Sequence, residues 1–167
     1  MKCLSVCLAG CVALLLAACG GTQEQVSEQD IERARQALVP LKKQLMGALT
    51  QGLEQGADSA IVVCQTRAHE ITADLGGPDI QVGRTSHKLR SPANAPEPWM
   101  QPLLDAYANG REEGQYRAVV VDDQTVGYVE PIYVKPMCLT CHGEPAGSLA
   151  SKLNALYPTD RATGFED

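Results

Sequence analysis

The sequence predicts an α+β domain, in which helices pack around a small antiparallel sheet. Three observations carry this. Apolar residues return at three- and four-residue steps through two stretches of the N-terminal half. Two β-branched runs in the C-terminal half are separated by the polar tetrad Asp122–Asp123–Gln124–Thr125. Strands and helices do not alternate as a parallel sheet requires, and no internal repeat is visible.

From Asp30 to about Gln55, the residues Ile31, Ala34, Leu38, Leu41, Leu45, Leu49 and Leu53 mark one face of a helix. Pro40 falls in its middle and predicts a kink, or a short helix followed by a longer one. Asp58 or Ser59 can cap a second helix reaching Asp74, with Ile61, Cys64, Ala68 and Ile71 on its inner side. Gly76–Gly77–Pro78 ends it. Residues 80–86 alternate Ile80, Val82 and Arg84 with polar neighbours and predict a strand. Three prolines make 91–98 a loop. A short helix follows over 99–108, where Pro102 is tolerated in the first turn. Residues 116–121 and 126–134 read as a hairpin, and Pro131 implies a bulge or an edge. Residues 147–157 form the last predicted helix.

The chain begins with an address. Lys2 precedes an apolar run from Leu4 to Ala18, and Leu16–Ala17–Ala18–Cys19 places small residues directly before a cysteine. This ending looks like a bacterial lipobox, whose cysteine is lipidated and becomes the first mature residue. The run is shorter than the ~20 residues that span a bilayer, so a spanning helix is disfavoured. An acyl chain gains roughly 0.8 kcal/mol per buried methylene, enough to hold the protein on a membrane surface. The expected location is the periplasmic side of a bacterial membrane. The lack of an acidic residue after Cys19 points to the outer membrane.

Cleavage before Cys19 leaves 149 of the 167 residues, enough for one core. It also removes Lys2, leaving 13 basic against 20 acidic residues and a net charge of −7. No basic run exists, which argues against nucleic acid and against electrostatic adhesion to anionic lipid.

Of the seven cysteines, Cys3, Cys7 and Cys11 leave with the signal, and Cys19 takes the lipid. Cys64, Cys138 and Cys141 remain, an odd number for an oxidising compartment. Cys138–Leu139–Thr140–Cys141–His142 is a CxxCH motif, the attachment signature of c-type haem. Two cysteines at this spacing reach the two vinyl groups on one edge of the macrocycle, and the histidine then faces the iron. Such attachment takes place after export, as the leader requires. A thioredoxin-like pair, half a zinc site and a plain disulfide are the alternatives. The first wants a βαβ unit and the second another ligand pair; neither is present in the sequence.

The second axial position has several candidates: Met46, Met100, Met137, His69, His87 and Cys64. Met137 adjoins Cys138 and is held on the attachment side. Met46 and Met100 are core fillers by default. His69 and His87 lie in polar surroundings, and Cys64 is an inward thiol of the kind that is often inert.

Ala60–Ile61–Val62–Val63–Cys64, Gly83–Arg84–Thr85–Ser86, Arg90–Ser91–Pro92–Ala93–Asn94–Ala95–Pro96 and Trp99 resemble one family. Glu130–Pro131–Ile132, the CxxCH motif with Gly143, and Tyr157–Pro158–Thr159–Asp160 extend the resemblance over nearly all of the mature chain. These segments are similar to periplasmic c-haem sensor domains with a PAS-like fold, a family formerly catalogued as a domain of unknown function. The resemblance implies an antiparallel sheet flanked by helices with an N-terminal helical segment. It implies one covalent haem c, and Cys64 as the iron ligand opposite His142. The organisation it implies is a lipoprotein signal peptide over 1–18, a tether over 19–29 and a c-haem PAS-like domain over 30–167. Arg84 and Arg90 become candidate partners of the haem propionates, since arginine pairs bidentately with carboxylates; a solvated basic face is the alternative.

The expected function is redox or small-ligand sensing without turnover, with a small gas or a redox partner protein as the other party. A thiolate ligand stabilises ferric iron and lowers the potential, so a low-potential electron-transfer cytochrome c is the alternative. A peroxidase-like enzyme is disfavoured with one CxxCH and few aromatic residues. Two departures from the family stand out. His69 replaces an expected proline, and the chain stops at Gly164–Phe165–Glu166–Asp167 where the family continues into a glycine-rich strand. The sheet is therefore expected to lack its last strand, or the sequence to be incomplete.

Overall fold

A computed structural model describes residues 25–111 and 114–166. The signal, the lipobox at Cys19 and most of the tether lie outside the described residues.

The first helix, α1 (Glu28–Glu54), is capped by Ser27, whose hydroxyl oxygen accepts from the Asp30 N–H at 3.1 Å. It runs without interruption through Pro40, so the expected division there does not occur. The proline removes one internal hydrogen bond, and packing of Ile31, Leu41 and Gly52 holds the helix together across it. Met46, expected in the core, is 41% exposed because it lies on the solvent side of that stripe.

The second helix, α2 (Ala57–Leu75), packs back on α1 across a turn at Gln55 and Gly56. Its cap position is Gly56 at φ 99°, rather than Asp58 or Ser59, because the reversal needs a backbone shape that side chains resist. Gly52 makes the close approach possible. A Cβ there would stand 2.7 Å from the Ala60 Cα. Ala60, Ile61, Ala68 and Ile71 form the inner face of α2, and with Ile31, Leu41, Leu153 and Ala162 they make the buried core.

Residues 80–86 form no strand, which corrects the alternating-pattern expectation. The segment stays extended or bent, and it leads through a 3₁₀ turn at Pro92–Asn94 to α3 (Gln101–Ala108). The sheet among the described residues is the hairpin β1 (Arg117–Asp122) and β2 (Thr125–Val129), with Val119 opposite Gly127. The second strand ends before Pro131 instead of reaching Val134, since proline cannot donate to a ladder. Helices α4 (Pro136–His142) and α5 (Gly147–Leu156) complete an α+β fold. No helix among the described residues is long and apolar enough to cross a membrane.

A polar network ties α1 to the hairpin. Tyr128 donates to Glu130 at 2.6 Å, Lys42 pairs with Glu130, and Arg35 lies over the Tyr116 ring, which stacks on Tyr128 at 5.3 Å. Burial, with the Glu130 carboxylate accepting its proton, pushes the Tyr128 phenol up to about 12. An unfolded tyrosine ionises near pH 10, so the folded state holds this proton longer than the unfolded one. The contribution is therefore complete below pH ~10 and is lost as pH rises through about 12. An absorbance titration at the tyrosinate band should lose one late-ionising group in Tyr128→Phe.

Candidate functional site

Pro136 opens α4, where its missing N–H costs nothing. A helix starting there places Cys138 and Cys141 one turn apart on the same face, with His142 closing the element. Both thiols are half-buried and free, as is Cys64 on α2. Gly143 follows and is buried; a Cβ there would press on the Leu139 carbonyl oxygen at 2.8 Å.

The last described residues wrap back over this helix end. Gly164 N–H donates to the Gly143 carbonyl at 2.8 Å, and Phe165 N–H donates to the His142 carbonyl at 3.0 Å. The Phe165 ring meets the His142 ring edge-on at 6.0 Å and His87 at 5.9 Å. Lys88 reaches the same segment. Its ammonium donates to the carbonyls of Gly164 at 3.0 Å and Thr163 at 3.3 Å, and lies 4.7 Å from the Phe165 ring centre.

His142 is held in one tautomer. Its Nδ1 lies 2.8 Å from the Ala162 carbonyl oxygen, which has no proton to give, so Nδ1–H is the donor. Burial and the nearby Arg90 guanidinium lower the His142 pKa, with the Ala162 carbonyl opposing them. The ring is thus neutral at neutral pH, and Nε2 keeps its lone pair.

Arg90 joins the pieces. Its Nε donates to Asp160 at 2.9 Å, and its Nη2 donates to the carbonyls of Cys141 at 2.6 Å and Ala162 at 3.1 Å. Its guanidinium carbon sits 5.9 Å from the Tyr157 ring centre. Asp160 also accepts from Ala162 N–H at 2.8 Å.

The electrostatics place Cys64 with this group. Burial pushes its thiol up, while Arg84 and Arg90 pull it down. Burial raises the Cys141 thiol as well, again opposed by Arg90 and reinforced by Cys64. Arg84 and Arg90 therefore act on both Cys64 and His142, and Arg90 and Cys64 act on Cys141, although these residues are far apart in the sequence. Cys138 shares the helix with Cys141. His69 is exposed on α2, and Met46 is exposed on α1. Sequence reasoning missed Lys88, Phe165 and the Ala162 carbonyl as parts of the site. Asp160 and Tyr157 were visible within a shared motif but carried no role.

Two shallow clefts of about 390 and 400 Å³ lie beside the site, both bordered by Gly143, Glu144 and Gly164.

A family model described as Tll0287-like matches residues 15–167. No curated protein matches the chain. Among solved structures, the cyanobacterial heme-protein Tll0287 is similar, at 26% identity and a TM-score of 0.57. The match covers 84% of this chain and 89% of that one.

Proposed function

Since this chain belongs to the Tll0287-like family, we propose that it is a haem-binding protein with one haem c attached covalently through Cys138 and Cys141. His142 supplies one axial ligand through Nε2, and Cys64 supplies the other. The protein is an exported lipoprotein anchored through Cys19, and it responds to redox state or to a small ligand rather than turning over a substrate. The observation that carries this reading is the His142 Nδ1–H bond to Ala162, which leaves a neutral imidazole with its lone pair available.

The donor set fits the group. Two reduced thiols stand one helical turn apart, with an imidazole directly after the second and a third thiol in the same electrostatic cluster. Arg84, exposed and close enough to act on Cys64, remains a candidate for a propionate carboxylate. The Thr85 hydroxyl, next to Arg84 in the sequence, is buried without a partner among the described residues. When bound, haem supplies one-electron redox chemistry and an axial position that can exchange. Because burial favours the Cys64 thiol, its use as a ligand releases a proton, and Arg84 and Arg90 lower that cost.

The test is to express the full chain with a c-haem attachment system and to stain denaturing gels for haem. Wild type is expected to keep its haem, and Cys138→Ala with Cys141→Ala to lose at least tenfold of the signal. Haem retained covalently by that double variant rejects the attachment claim. Cys64→Ala is expected to lose the low-spin thiolate features of the ferric spectrum. Carbon monoxide binding to ferrous wild type supports sensing, whereas retention of both ligands through reduction favours an electron carrier.

A further inference from the structure

Arg90 is one of two arginines whose position in the sequence suggests a propionate partner, yet its Nε and Nη2 are directed at acceptors inside the protein. The Ala162 carbonyl accepts from Arg90 Nη2 at 3.1 Å and from His142 Nδ1–H at 2.8 Å, so one oxygen joins the guanidinium to the imidazole. The same Nη2 holds the Cys141 carbonyl at 2.6 Å, one residue before His142. Asp160 grips both ends of the arrangement, accepting from Arg90 Nε at 2.9 Å and from Ala162 N–H at 2.8 Å. We propose that Arg90 is a positioning residue for the axial imidazole: it pins Ala162 against the end of α4 so that the carbonyl meets His142 Nδ1–H. The proposal rests on the haem reading above.

Two effects of the guanidinium oppose each other. By sharing the carbonyl, it draws some acceptor strength away from the imidazole N–H. By tying Cys141, Ala162 and Asp160 together, it keeps that acceptor in line at all. The second effect dominates. The sharing only modulates a bond, whereas the charge-assisted contacts at 2.6 and 2.9 Å decide whether the segment stays in place. Lysine keeps the charge but has no planar fork to span three acceptors.

The experiment uses full-length holoprotein in the ferrous low-spin form, which is diamagnetic whether carbon monoxide or a second protein ligand is bound. Solvent exchange of the His142 ring N–H is followed by ¹⁵N NMR, and the reduction potential is measured without carbon monoxide. In Arg90→Lys, ring N–H exchange is expected to accelerate at least tenfold. The potential is expected to shift upward, because a histidine that loses its acceptor donates less charge to iron. Asp160→Asn should accelerate exchange in the same way, and it decides the matter if Arg90→Lys does not accumulate. Exchange unchanged in both loaded variants overturns the assignment and returns Arg90 to a haem carboxylate. Wild type that never acquires covalent haem sinks the haem reading instead.

Discussion

Arg90→Met is expected to destabilise the domain by ~3 kcal/mol or more. The Arg90 and Asp160 side chains are only 16% and 6% exposed, so the pair is shielded from water. Methionine preserves the apolar stem and removes every charged donor. Asp160 then keeps its charge with one N–H donor, Ala162, where it had two. The carbonyls of Cys141 and Ala162 lose a donor at the same time. Leaving one member of a buried pair unpaired costs far more than deleting both. Adding Asp160→Asn to Arg90→Met should therefore recover part of the loss, because a neutral amide is cheaper to bury and its oxygen still accepts from Ala162. Urea unfolding of the three proteins reads this directly. A loss below ~1 kcal/mol for Arg90→Met would place the pair among weak surface contacts.

Gly127→Val should cost about 2 kcal/mol, although valine suits a strand better than glycine. Gly127 lies in β2, and a Cβ there would come within 2.6–2.8 Å of three carbons of the Trp99 ring. Strand propensity favours valine by at most about 1 kcal/mol, while forcing atoms into filled space costs about 1–3 kcal/mol. Overpacking wins because Trp99 also donates to Glu97 at 2.9 Å and has limited freedom to withdraw. Trp99→Leu in the Gly127→Val background should relieve the clash. A double-mutant coupling of less than about 0.5 kcal/mol would show that the two positions are independent.

The same contacts explain which parts of the fold were legible. The leucine period of α1 and the alternating apolar positions of α2 report directly on faces that pack together. The hairpin was legible because β-branched residues flank a polar turn. Its second strand was read too far, since a proline stops a ladder that the side-chain pattern would continue. Residues 80–86 misled for a related reason. Alternation records an extended chain, but a ladder needs a partner strand. The adjoining residues 87–90 bend and are tethered mainly through side chains, with Lys88 and Arg90 gripping carbonyls of 162–164 while the Leu89 carbonyl accepts the Arg161 N–H.

The CxxCH motif predicts its own chemistry because everything it needs lies within one helical turn. Spacing and residue type carry that expectation, and the structure adds that the turn is helical and starts at Pro136. Cys64 is visible in the sequence as a thiol without a partner, and the role of iron ligand comes from the resemblance. The placement of His142 was not legible at all. Its Nδ1 proton goes to a backbone carbonyl twenty residues away, and every residue carries a carbonyl, so no residue type marks Ala162 as the acceptor. Arg90 is the converse case. Its chemistry as a carboxylate partner was readable from the side chain, but the choice of Asp160 belongs to the fold. That choice depends on how the residues after α5 return over α4, a long-range closure that local patterns cannot encode.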